Sequence, residues 1–465
     1  MPGRSVLNLN LFIKGCDCLF LLPDFLKTIS YKKIWRIAWP IIVGGIAQNV
    51  INVTDTAFLG RLGEIELGAS ALGGVFYLAI IMLGYGLGIG TQIIVARLEG
   101  EDKSGRIGRV MEHSFIALLI TAVLMFFIIK IFSGGLFSSI IKSENVFHAS
   151  VEFISYRSWG IVFAYINIGF GAFYIGTSRT RIITWSTLVM ATVNVFLDYA
   201  LIFGNLGFPE MGLKGAAIAS VAAEILVSVY FCFYTFFYTD IKKYRIFEFH
   251  AFDLPVAKRV FFISGPVMLQ NFLSLFAWFG FFALVENLGE RELAISNIVR
   301  SVYVILMIPI WGFAAASNTL VSFLIGRRHG HEVLPVVYKT SALCFLLVLA
   351  FVIPAMLFPV EILMIYTTDA GLIAQSLPVL RVVSGSVICF AFAMVFYNAV
   401  SGTGKTGIAL IMELFVVGFY FLAAYLMVIV FRLPVAVVWT VEFLYAGCLL
   451  ILSWLYLKFG NWQEK

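Results

Sequence analysis

Twelve apolar runs, each long enough to cross a hydrocarbon core, constrain this chain more than any other feature. Their approximate limits are 34–60, 70–97, 111–133, 153–177, 181–204 and 214–238 in the first half. After a charged stretch come 258–285, 293–325, 337–360, 377–402, 406–430 and 434–457. A bilayer interior holds no water to satisfy backbone N–H and C=O groups, so only helices and closed barrels span it. Barrel strands would alternate in polarity, and these runs do not. Only 12% of the 465 residues are charged, against roughly 25% in soluble domains. The sequence therefore predicts an all-α polytopic membrane protein with twelve transmembrane helices and no separate soluble domain.

Basic residues set the orientation. With the N-terminus on the cytoplasmic side, 23 of the 32 Lys and Arg fall on cytoplasmic segments, eight outside, and Arg300 within a span. The cytoplasmic set includes Lys32, Lys33, Arg36, Arg97, Lys103, Arg106, Arg109, Lys242, Lys243, Arg245, Arg327 and Arg328. The positive-inside rule then predicts that both termini are cytoplasmic, in a plasma (bacterial inner) membrane. Net charge of +6 is spread over short loops, which argues against nucleic acid as a partner. Cys232, Cys344, Cys389 and Cys448 lie in apolar spans, Cys16 and Cys18 near the N-terminus, and no spacing suggests zinc or a disulfide framework. His113, His148, His250, His329 and His331 fall in loops or at helix ends, so no buried His metal site is expected. Residues 1–30 read as an N-terminal extension without a clear small-residue cleavage site.

An internal repeat decides the architecture. An offset of 226 residues brings Pro40 onto Pro266, Leu62-Gly63-Glu64 onto Leu288-Gly289-Glu290, and Ser70 onto Ser296. The same offset brings Gly86 onto Gly312, Gly100 onto Gly326, Gly176-Thr177 onto Gly402-Thr403, and Arg179-Thr180 onto Lys405-Thr406. The chain is two copies of a six-helix unit. An even number of spans per copy points both the same way, related by a pseudo-two-fold axis along the membrane normal. The lobes are 31–238 and 258–465, joined by a cytoplasmic linker, 239–257.

Within the first span, Gln48, Asn52 and Asp55 recur at i, i+4 and i+7, so a helix sets them on one face. An acid inside a span usually faces a partner or a water-filled cavity; the alternative is an acid near enough the helix end to reach headgroup water. Asp55 precedes Gly60 by five residues, Asp198 precedes Gly204 by six, and Ser220 follows Lys214 by six. At helical rise all three sit roughly 8–9 Å below the outer boundary, with Asn194 one turn below Asp198 on the same face. Three helices thus bring oxygens to one level, as a hard cation or shared proton requires. The competing account is a set of hydrogen-bonded packing polars. Asp55, Asn194 and Asp198 map to Phe281, Tyr420 and Ala424 in the second copy, so the acids are expected in one lobe only.

Several motifs carry a resemblance. VTDTAFLGRLG at the end of the first span resembles the first-helix signature of the multidrug and toxic-compound extrusion (MATE) family. NVFLDYALIFG at 194–204 and MGLKGAAIAS at 211–220 resemble its fifth and sixth helices, and GTSRTR at 176–181 the turn between its fourth and fifth. The resemblance runs from about residue 31 to the end. It implies two lobes that open alternately to each side of the membrane, exporting drugs or amphipathic metabolites in exchange for Na⁺ or H⁺. It further implies a coupling site, binding Na⁺ or H⁺, at Asp55, Asn194, Asp198, Ser220 and the backbone carbonyl of Ala216. Ser220 departs from the Thr that relatives often carry. Span 377–402 has no acid, and 258–285 has none before Glu286, which places the chain nearer the DinF-like than the NorM-like branch.

Gln48, Asn52 and Arg300 are candidate substrate or gating contacts. Arg300, about 14 Å into its span at helical rise, either faces the cleft or pairs with a carbonyl or an acid such as Glu286. Glu224 and Glu442, deep in the sixth and twelfth spans, carry the same two readings. His250 and Asp253 in the linker lack a nucleophile or metal partners, so an enzyme is not expected. No nucleotide-binding motif is present, and no cofactor beyond the coupling ion is expected. The partners expected are a small-molecule substrate and membrane lipid, with the chain acting as a monomer. The alternatives are a flippase of lipid-linked precursors on a related fold and, more distantly, an intramembrane transferase.

Overall fold

The computed structural model describes residues 29–248 and 250–462, so almost all of the 1–30 extension lies outside the described residues. Among the described residues twelve helices are long and apolar enough to cross a membrane. In the first lobe they are α1 (Tyr31–Leu62), α2 (Glu64–Gly100), α3 (Ser104–Ile140), α4 (Glu144–Gly176), α5 (Arg181–Phe203) and α6 (Gly212–Tyr238). The second lobe holds α7 (Leu254–Glu286), α8 (Glu290–Gly326), α9 (Gly330–Leu357), α10 (Ala370–Gly402), α11 (Thr406–Val430) and α12 (Val435–Phe459). The protein is an all-α integral membrane protein, as the apolar runs predict. Several helices extend past the apolar limits, and the largest single extension is at the start of α4. Residues 144–152 lie before the expected limit of that span at 153, yet they are helical, started by Ser143, whose Oγ accepts from the Val146 N–H.

Other helix starts follow the same capping chemistry. The Ser30 hydroxyl accepts from the Lys33 N–H at α1, and Asp253 accepts from the Val256 N–H at α7. The linker folds back on the first lobe: Asp253 pairs with Arg109 at 3.1 Å, and His250 Nδ1 meets Glu112 Oε2 at 3.1 Å. The His250–Asp253 stretch is thus a structural clasp.

Within the first lobe α5 packs on α6 and on α1, and within the second α8 and α12 both pack on α10. Between lobes, α7 packs along α2, and α8 along both α1 and α2. These contacts gather in the half of each helix nearer the Lys- and Arg-rich end of the bundle. There the repeat becomes a contact symmetry. Gln92 and its counterpart Asn318 meet each other, with Gln92 Nε2 donating to Asn318 Oδ1 at 3.3 Å and to Thr319 Oγ1 at 2.9 Å. A Cβ on Gly100 would strike the Phe323 carbonyl, and one on its counterpart Gly326 the Arg97 carbonyl. Arg97 in turn donates to the Thr403 carbonyl at 2.5 Å. The lobes are pinned together at the basic end.

Candidate functional site

The site begins with a close helix crossing. Gly215 on α6 has no side chain, and a Cβ there would meet the Leu201 carbonyl group at 2.7 Å, so α5 and α6 approach nearly backbone to backbone. That brings Asn194 and Asp198 of α5 against Ala216 and Ser220 of α6. Asn194 is 1% exposed and Asp198 fully buried. Asn194 Nδ2 donates to Ser220 Oγ at 3.4 Å. From α1, the half-buried Asp55 comes close enough to Asp198 for the two carboxyl groups to act on each other. Among the described residues no donor reaches Asp55 Oδ1, Asn194 Oδ1 or either oxygen of Asp198.

Such a group of oxygens has a definite chemistry. A buried carboxylate without donors or a counter-charge is costly by several kcal/mol. Two side by side cannot both stay ionised unless a cation joins them. Carboxylate, amide and hydroxyl oxygens are what a proton or a hard monovalent cation accepts. Among the described residues no three His, Cys, Asp or Glu converge as a transition-metal site would need.

A second cluster lies beside the first. Arg157 of α4 grips Glu224 of α6 through two hydrogen bonds, Nη2 to Oε1 at 2.6 Å and Nη1 to Oε2 at 2.9 Å. Tyr77 of α2 donates to the same carboxylate at 3.2 Å, and the guanidinium lies 3.9 Å over its ring. The positive charge of Arg157 also acts on Asp55 and Asp198. Glu224 is therefore a paired acid, and Arg157, counted from the sequence as a charge outside the membrane, belongs inside the lobe. The sequence holds this Arg and this Glu in apolar runs, the fourth and the sixth, where an acid and a base tend to pair, but no spacing along the chain joins them.

Gln48 and Asn52 share an exposed face of α1, with Gln48 Nε2 donating to Asn52 Oδ1 at 3.5 Å. They do not touch the Asp55–Asp198 pair through any described hydrogen bond. Arg300 forms no ion pair among the described residues, Glu286 included; its guanidinium lies 5.1 Å over the Phe282 ring.

The second lobe corrects one expectation. At the mapped positions the acids are indeed replaced: Phe281 packs on Tyr420 and Trp439, and Ala424 is buried. The lobe nevertheless has its own buried acids. Glu442 stands at the counterpart of Ala216 and accepts from Tyr420, the counterpart of Asn194, at 3.0 Å. It also accepts from Tyr303, the counterpart of Tyr77, at 3.3 Å. Glu413 of α11, which sequence reading passed over, accepts from Ser274 at 2.7 Å and Tyr445 at 2.6 Å.

Comparison with known proteins gives the same fold and adds a family. The MatE family model matches residues 40–200 and 266–441, one segment in each lobe. A probable multidrug resistance protein NorM of Synechocystis sp. is 24% identical over 72% of this chain and 73% of its own length. One from Thermotoga maritima is 24% identical over 81% of this chain and 80% of its own. Among solved structures, a MOP superfamily transporter from Pyrococcus furiosus superposes with a TM-score of 0.85 at 22% identity, covering 92% of this chain and 96% of that one. An outward-facing multidrug resistance MATE transporter gives 0.85 at 22% identity, over 92% and 95%. With two segments matched that together span well over half its length, the chain belongs to the MatE family of membrane transporters.

Proposed function

We propose that this protein is a secondary active exporter of the DinF-like branch. It expels drugs or amphipathic metabolites in exchange for H⁺ or Na⁺, by alternating access. The coupling site is Asp55, Asn194, Asp198, Ser220 and the Ala216 carbonyl. The observation that carries this reading is the approach of Asp55 to Asp198, with no donor among the described residues meeting either oxygen of Asp198. An entering cation binds both carboxyls, and an entering proton is shared between them. Either one changes how tightly α1 is held against α5, which is how ion occupancy would bias the two conformations.

Relatives named for multidrug resistance support a broad, apolar substrate class. The basic end faces the cytoplasm of a plasma or bacterial inner membrane, with both termini on that side. Because the lobes are joined there, this conformation opens to the outside. The protein works as a single chain.

Transport into vesicles, with Na⁺ and pH gradients imposed separately, tests the reading. Substrate movement should follow one gradient in the wild type and neither in Asp55→Asn or Asp198→Asn. Full transport in either variant at normal expression overturns the assignment.

A further inference from the structure

The second lobe holds two acids that the first-lobe site does not use. Glu413 is 1% exposed and Glu442 4% exposed. All their hydrogen-bond donors are hydroxyl groups. Glu413 Oε1 accepts from Ser274 of α7 at 2.7 Å and from Tyr445 of α12 at 2.6 Å, while its Oε2 has no partner. Glu442 accepts from Tyr420 on one oxygen and Tyr303 on the other, at 3.0 and 3.3 Å. Tyr445 links the two: its ring stacks edgewise on Tyr420 at 5.7 Å, and its hydroxyl lies within reach of both acids' charges.

Among the described residues no cation pairs with either acid. From α10 the titratable neighbour is Tyr397, beside Glu413, with its hydroxyl donating to the Ala409 carbonyl at 3.0 Å. From α8 come Tyr303 and, one turn away, Arg300, which stacks on Phe282 and pairs with neither acid. From α7 comes Ser274 alone. Glu224 in the first lobe is also buried, yet a guanidinium neutralises it at 2.6 Å. Two unpaired carboxylates in a membrane interior would each carry several kcal/mol of uncompensated desolvation. Neutral tyrosines soften that penalty without removing it.

We propose that Glu413, supported by Glu442 and the tyrosines, is a second proton-binding site, in the second lobe and distinct from the first-lobe coupling site. With both lobes pinned at the basic end, Glu413 carries its proton on Oε2. A movement of α7 or α12 that withdraws Ser274 or Tyr445 and admits water lets that proton leave to solvent. The carboxyl changes from neutral to charged, and no other bond is made or broken. Because Glu413 joins α7, α11 and α12, its charge state is coupled to how those helices pack.

The test is infrared difference spectroscopy on the purified full chain in lipid nanodiscs as pH is raised, which does not depend on transport. The wild type should lose the carbonyl-stretch band of a protonated carboxylic acid that Glu413→Gln lacks from the outset. Asp55→Asn with Asp198→Asn should retain that band, so failure of the first-lobe reading leaves this result intact. Tyr445→Phe keeps the acid, removes its 2.6 Å donor and should shift the band's position. An unchanged spectrum in Glu413→Gln, or a band that Tyr445→Phe does not move, overturns the proposal. A band that vanishes with Asp55 and Asp198 instead would also overturn it.

Discussion

The two lobes share a backbone plan and differ in how they treat buried charge. In the first, the apolar core divides into separate clusters near the basic end, near the opposite end and around α1, α5 and α6. Polar groups lie between them: Glu224 with Arg157, and Asp55 with Asp198. In the second lobe one continuous core takes in Phe281, Tyr420 and Trp439, runs to Trp462, and extends onto α1 through Ile34, Ile37 and Ile42. Its acids are wrapped in tyrosines instead of being paired or left facing each other. One scaffold thus supports an open oxygen cluster in one half and a closed hydroxyl cage in the other. The shared glycines and prolines encode helix approach, whereas function resides in side chains that the repeat has not preserved.

Breaking this contrast should have its largest effect at the first-lobe acids. Asp55→Asn and Asp198→Asn should abolish coupled export while leaving membrane insertion intact, whereas the matched change Phe281→Leu should lower export less than about tenfold, a loss near 1.4 kcal/mol. Drug-resistance assays at matched expression decide it; equal losses in all three would mean that shape, and not charge, distinguishes the lobes.

Next comes the Arg157–Glu224 pair. Glu224→Gln leaves a buried guanidinium without its counter-ion, which costs about 3–5 kcal/mol. Thermal unfolding in detergent should show a lower Tm, with Glu224→Gln falling further than Glu442→Gln, because tyrosine hydroxyls also hydrogen-bond an amide. The reverse order would refute the distinction between a paired acid and a caged one.

The inter-lobe contact predicts a symmetric effect instead. Gly100→Ala and Gly326→Ala each drive a methyl group into the carbonyl of the other lobe. Both should weaken the joint at the basic end to a similar degree, read as increased labelling of a cysteine placed at Asn318. Unequal responses would show that the contact symmetry is only geometric.

The smallest change expected is at Arg300. Arg300→Ala should alter substrate range more than coupling, and Arg300→Lys should restore part of it, keeping the charge without the planar fork. Misfolding of the alanine variant would instead assign Arg300 a packing role.

Much of this was legible in the sequence, for identifiable reasons. Spans and lobes declare themselves because hydrocarbon thickness and the 226-residue offset act along the chain. Asp55 and Asp198 could be placed at one depth by counting from Gly60 and Gly204. The pairing of Arg157 with Glu224 was hidden because it joins α4 to α6 across 67 residues, and Arg157 looked like a flanking charge. Glu413 was missed because it is one acid in an apolar run, and its partners Ser274 and Tyr445 come from helices that no periodicity links to it. Contacts between helices depend on rotation and crossing, which spacing within one helix does not specify.

The central claim is that Asp55 and Asp198 hold a single exchangeable cation between them. Proton release on adding Na⁺ to detergent-solubilised protein at near-neutral pH tests it most directly. A proton shared by the pair should be displaced by Na⁺ in the wild type, and the release should vanish in Asp198→Asn. Release that persists in Asp198→Asn would contradict the account, because the cation would then be displacing a proton from somewhere other than this pair.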